Sequence, residues 1–389
     1  MRAYLILFCG LSAALIAVLL ALNYAVDPYL THQWANPMLQ RLRPAQEKLN
    51  AWGKSYALAR LRPSTVYIGN SRTAWGMPVR TPLFAASSVF NAALPGATVA
   101  DDMHIVRHAA YVGRLDTVVW GLDAVTFSMH GGYLELEPGL LAGDAAYPLR
   151  RALLTLKRAL STDMTADSIR LLAGTYGTVC RSSLAFNGQA DSACISSIVA
   201  ARGGAATAIP VLMRNFVRGA GPGGDAMAPF DASLAELCRA GTRVRLYIAP
   251  THALMQDLLY WAGRWPDIDN WTAALLKVAE RRRAGGCDLR LYDFSGYNSV
   301  TTETTPLASG RDAMLYYWEG AHFRDNVGHM ILQRMFGGTP TPLPADFGVE
   351  LDGPMLAARR AALPGEREAY HRLHPKETAL ARRIAGESR

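Results

Sequence analysis

Five short apolar runs rich in β-branched and aromatic residues restrict the fold of this chain more than any other feature. They are "STVYIGNS" (64–71), "SSVFNAAL" (87–94), "LDTVVWGLD" (115–123), "TRVRLYIAP" (242–250) and "CDLRLYDFS" (287–295). Turn residues follow each run, and helical patterns such as "VADDMHIVRHAAYVGR", "DASLAELCRAG" and "NWTAALLKVAERRRAGG" lie between them. Strands alternating with helices predict a three-layer α/β/α domain with a mostly parallel sheet covered on both faces. Ligands of such sheets bind beyond the carboxyl ends of the strands. Ser71, Asn91, Gly96, Asp123 and Pro250 all fall just past predicted strand ends and are site candidates by position.

The chain begins with an uncharged apolar run, Ala3 to Leu22. At 1.5 Å rise per residue it spans a hydrocarbon core of about 30 Å. A cleavable signal usually has about 7–15 apolar residues and then a small-x-small site. "NYAVDP" offers no such site, so residues 1–28 are expected to be an uncleaved anchor, with the body in the periplasm or outside the cell. Four of the five cysteines, Cys180, Cys194, Cys238 and Cys287, lie in the body. An even number in an exported domain permits two disulfides, with Cys180–Cys194 the local choice and Cys238–Cys287 remaining; free thiols are the alternative. The formal charge of +8 on 389 residues suits anionic lipid or an acidic polymer. No nucleic-acid-binding signature accompanies it, and no nucleic-acid partner is expected.

Domain organisation follows from breaks in the rhythm. Residues 29–336 form the body, with an insertion at about 128–235 that is Gly-rich and partly helical. From 337 a Pro/Gly linker leads to a mixed-charge helical tail, expected to be solvated.

The chemistry concentrates in two stretches. "VYIGNSRTAWG" places Ser71 after a glycine and before Arg72 at a strand end. "YYWEGAHFRDNVGHMILQRMF" places Glu319 three residues before His322 on a loop entering the last helix of the body. Neutral serine is a weak nucleophile; a histidine oriented by a carboxylate can take its proton. His104 and His108 stand at the i, i+4 spacing of a helical metal pair, but no third ligand is evident and a solvated helix face is expected instead. No metal or cofactor is expected. His252, in "YIAPTHALM", follows a strand and is a candidate for the site wall or a surface loop.

These blocks resemble the SGNH, or GDSL-type, hydrolase superfamily. "GNSR" (69–72) is similar to the first block, with Ser71 as nucleophile and Asn70 where the family often has Asp. "FNAALPGAT" is similar to the second, with Gly96 as its glycine; the resemblance implies an oxyanion hole from the Ser71 and Gly96 N–H groups. "VVWGLD" occupies the place of the third, which normally supplies an Asn donor; here the residue is Asp123, and an ionised carboxylate only accepts. "EGAHF" is similar to the last, with Glu319 in place of Asp and His322 as base. The resemblance implies a flavodoxin-like domain. By their positions Asn70, Asn91, Asp123 and His252 are expected near the substrate, and Arg72 is expected either to bind an anionic substrate group or to form a structural ion pair. The resemblance extends to single-pass envelope proteins that move D-alanyl or acetyl groups onto cell-envelope polymers. It therefore implies an inner-membrane serine esterase or O-acyltransferase that takes an acyl donor and an envelope polymer, beside a membrane-bound acyl-transfer partner. A catalytically degenerate member serving as an assembly component is the other expectation.

Overall fold

The computed structural model describes residues 1–34, 36–42, 49–85, 88–129, 132, 136–176, 183–219, 225–307, 314–338 and 343–387. Its centre is a six-stranded sheet of β1 (Thr65–Ile68), β2 (Val89–Asn91), β3 (Thr117–Leu122), β4 (Arg243–Ile248), β5 (Leu289–Asp293) and β6 (Val349–Glu350), in the order β2-β1-β3-β4-β5-β6. The first five are parallel and β6 is antiparallel to β5. The chain moves out to β2, then returns past β1 to β3. The crevice between the ends of β1 and β3 is thus the topological switch point, where such sheets bind ligands.

Alternate side chains of each strand leave opposite faces. Val66, Ile68, Val118, Trp120, Val244 and Leu246 enter one core, with the helices Asn50–Leu61, Val99–Val112, Met227–Arg239 and Trp265–Ala284. Tyr67, Val119, Tyr247 and Tyr292 enter the other, with the helices Ala253–Trp261, Asp325–Phe336 and Pro375–Glu387. Burial on both sides is why β1 and β3 read as near-continuous apolar runs rather than as alternating ones.

Arg2–Val26 is a single helix, long and apolar enough to cross a membrane. Its last turn is nevertheless part of the body. Asn23 is fully buried, donating to Ala159 O (2.8 Å) and Thr165 Oγ1 (2.9 Å) and accepting from Ser168 Oγ (2.8 Å).

Three expectations need correction. The insertion closes before Met227, because Phe230, Leu234 and Leu237 of helix Met227–Arg239 pack in the sheet core. The tail is not a solvated appendage: Ala381, Ile384 and Ala385 are buried in the second core. His371 Nε2 meets the fully buried Asp257 carboxylate at 2.5 Å. His108 is fully buried rather than on a solvated face, while His104 is exposed.

Cys238 and Cys287 form a disulfide tying the helix before β4 to the start of β5. Cys194 is also disulfide-bonded; Cys180 lies outside the described residues. The Cys238–Cys287 link closes a loop with a sequence separation of 49. Replacing both cysteines by serine should cost about 2–4 kcal/mol, measured by urea unfolding.

Burial also makes two histidines pH-sensitive. Desolvation holds the imidazoles of His108 and His252 at about 4, below the ordinary 6.5. As pH falls through 6.5 the unfolded chain binds these protons first, so their contribution is complete above 6.5 and is lost toward 4. Each site then contributes a loss of about 2 kcal/mol between pH 7 and 5. The stability difference between the protein and its His108→Gln variant should shrink by that amount over this interval.

Candidate active site

At the carboxyl end of β1, Gly69 turns the chain into the short helix Ser71–Gly76. Gly69 has φ 143°, and a Cβ there would sit 2.4 Å from Thr73 Oγ1 and 3.0 Å from Gly121 O. Only glycine lets this turn pass so close to β3. Asn70 caps the helix, its Oδ1 accepting from Arg72 N at 2.9 Å. Ser71 is the first helical residue and faces the crevice.

The loop carrying the base is braced by backbone bonds. Trp318 N donates to His322 O (2.9 Å) and Arg324 N to Tyr316 O (2.8 Å), so residues 316–324 fold back on themselves. Glu319, nearly fully buried, points its carboxylate back into that loop. Its Oε2 accepts from Ala321 N (2.6 Å) and His322 N (3.0 Å), and its Oε1 accepts from His322 Nδ1. Gly328 allows the following helix to dock: a Cβ there would lie 1.9 Å from Gly76 O, so only glycine brings helix Asp325–Phe336 against helix Ser71–Gly76.

Residues 251 apart in sequence thereby meet. His322 Nε2 lies 2.8 Å from Ser71 Oγ. Burial raises the Glu319 carboxyl, but the His322 charge and hydrogen bond and the Ala321 and His322 N–H groups outweigh it, leaving Glu319 below its ordinary value. An ionised Glu319 requires a proton on Nδ1, which leaves the Nε2 lone pair for the serine hydroxyl. The Trp75 ring stacks on the imidazole at 4.0 Å between centroids and fixes its plane.

A cavity of about 210 Å³ opens over this pair. Asn70, Ser71, Arg72, Gly96, Asp123 and His322 line its floor; Met129, Leu212, Asn215, Phe216 and Met255 line its walls. Among the described residues, neither the Ser71 nor the Gly96 N–H donates to a protein acceptor. The wall residues Leu212, Asn215 and Phe216 belong to helix Gly204–Gly219 of the insertion. Sequence reasoning missed them, and only the apolar stripe of that helix hinted at a buried face.

Several predicted substrate residues have other duties. Arg72 is 5% exposed, with its guanidinium on the Asp123 carboxylate and 3.0 Å from Thr251 Oγ1. Asp123 also accepts from Asn70 Nδ2 at 2.8 Å. All three line the cavity, and the Arg72 and Asp123 charges are paired with each other. Asn91 lies outside the cavity, fully buried. Its Nδ2 binds Thr73 O (2.9 Å) and Met77 O (3.2 Å), locking the serine helix to β2.

His252 does not line the wall either. Its Nδ1 accepts from Leu254 N (3.1 Å), capping helix Ala253–Trp261, and its Nε2 donates to Glu303 O (2.7 Å). Glu303 in turn accepts from the N–H groups of Leu315 and Tyr316 with its carboxylate. His252 therefore acts on the His322 loop from behind.

No protein-family model matches the chain, and no curated protein matches it.

Proposed function

We propose that the protein is a membrane-anchored, extracytoplasmic serine esterase or O-acyltransferase acting on an envelope polysaccharide or glycoconjugate. The observation that carries this reading is the continuous hydrogen-bond chain Ser71–His322–Glu319, whose Ser71 and His322 line a cavity. The strand order β2-β1-β3-β4-β5 is that of flavodoxin-like sheets, which supports an SGNH-type domain.

In this mechanism His322 Nε2 takes the Ser71 proton as Oγ attacks an ester carbonyl. Glu319 holds the tautomer and stabilises the imidazolium. The Ser71 and Gly96 N–H groups receive the oxyanion. His322 returns the proton to the leaving alcohol, and an acyl-Ser71 ester remains. Water then releases the acid, or a sugar hydroxyl takes the acyl group, with His322 again removing the proton. Asp123 cannot serve as a third donor, because both carboxylate oxygens already accept from Asn70 and Arg72. One absent donor costs roughly 3–4 kcal/mol in known cases, which slows such an enzyme without abolishing it. The apolar walls suit a short acyl group. Hydrolysis of a small acetyl ester, with and without an added polysaccharide acceptor, tests the reading and separates esterase from transferase.

A further inference from the structure

Helix Tyr147–Ala159, "YPLRRALLTLKRA", has an unusual surface. Leu149, Leu153 and Leu156, with Leu160 just beyond, form a stripe at i, i+4, i+7 and i+11 that is 43–66% exposed. The helix itself carries four cations and no acid. Arg150 pairs with Asp144, Arg158 pairs with Glu137, and Arg151 folds onto Tyr147 and the Tyr56 ring, so Lys157 is the exposed cation beside the stripe. Lys157 has no ion-pair partner among the described residues. A water-facing helix would show the reverse arrangement, with its apolar stripe covered.

The position of the helix identifies what covers it. Ala159 accepts from Asn23 at the end of the apolar N-terminal helix. Leu20, Ala21 and Tyr24 of that helix face Ala152, Leu156 and Ala159 across an apolar cavity of about 560 Å³. Leu156 of the stripe is thus level with the last apolar turns of the N-terminal helix. Tyr24 and Trp34 sit at the same level, edge to face at 5.0 Å and both exposed, with Trp34 Nε1 donating to Tyr24 O (2.7 Å). Amphipathic aromatics collect where hydrocarbon meets head groups. The next helix, Thr162–Leu172, adds exposed Ile169 and Leu172.

We infer that helix Tyr147–Ala159 lies in the interface of the bilayer entered by Arg2–Val26. Its leucines sit among acyl chains, Lys157 sits among anionic head groups, and a lipid chain of that leaflet fills the adjoining cavity. Basic amphipathic helices bind interfaces through buried apolar area and attraction to anionic lipid. This inference rests on the reading of Arg2–Val26 as a membrane span. It gives the body a second membrane contact and fixes its orientation.

The test uses the full chain with Cys9→Ser, reconstituted in bilayers of phosphatidylcholine and phosphatidylglycerol. A nitroxide is attached at Leu153→Cys, Leu11→Cys or Leu373→Cys, all exposed positions that tolerate it. Relaxation by oxygen and by a neutral nickel chelate reports depth. The inference expects oxygen to dominate at Leu11 and Leu153, nickel to dominate at Leu373, and the Leu153 label to shift toward water in phosphatidylcholine alone. Oxygen at Leu11 with nickel at Leu153 in both bilayers overturns the inference and leaves the anchor standing; a partner protein would then be the occupant. Nickel at Leu11 overturns the anchor reading and the inference together.

Discussion

Ser71→Ala is expected to lower ester turnover by several orders of magnitude, and His322→Ala by a similar factor. The hydroxyl and the imidazole are 2.8 Å apart and, in the proposed mechanism, act in one proton transfer. The double variant should therefore be little worse than either single one, because residues that act as a unit lose their effect together. Glu319→Gln keeps the loop's shape but removes the charge opposite Nδ1. In a comparable case the amide substitution costs about 10⁴ in kcat through the wrong tautomer. Purified full-length protein and a small acetyl ester suffice for the comparison. Additive losses at Ser71 and His322 would contradict a shared mechanism.

Arg72→Met should destabilise the fold by about 3–5 kcal/mol, since it leaves the Asp123 carboxylate buried without its cation. Both side chains are over nine-tenths buried, so solvent does little to screen the loss. Removing both charges with Arg72→Met/Asp123→Leu should recover most of the stability, as replacing a buried pair by apolar groups often does. Asp123→Asn breaks the same pair from the other side and strands the guanidinium. It should therefore lower both stability and activity. An Asp123→Asn enzyme more active than the parent would show that the ion pair is dispensable and that an amide there reaches the oxyanion. Denaturant midpoints for the four proteins, at constant slope, decide this.

The contact among Ser71, His322 and Glu319 was legible because its geometry fixes local sequence. A serine at a strand end follows an apolar run and a turn glycine. A histidine held by a carboxylate ahead of the last body helix leaves an acid three residues before it. The five parallel strands were legible because burial on both faces leaves runs rich in Val, Leu, Tyr and Ile, unbroken in β1 and interrupted by arginines in β4 and β5. The errors lie where pairing is long-range. A structural ion pair was one of the two expectations for Arg72, but its partner Asp123 is 51 residues away and nothing local names it. Asn91 and His252 carry polar groups that look available, but backbone partners from other segments consume them. β6 is only two residues long and its segment carries Gly and Asp, so no run announced it. The mixed charge of the tail concealed a narrow apolar edge, Ala381, Ile384 and Ala385, that seals the second core.

The central claim is that Ser71 is a nucleophile activated by His322. Its most direct test is labelling of the folded full-length protein with a fluorophosphonate, read by intact mass and peptide mapping. One phosphonyl group on Ser71, absent in Ser71→Ala and strongly slowed in His322→Ala, is the predicted result. A folded protein that takes no label, or takes it equally in the Ser71→Ala variant, would contradict the claim and favour a non-catalytic assembly role.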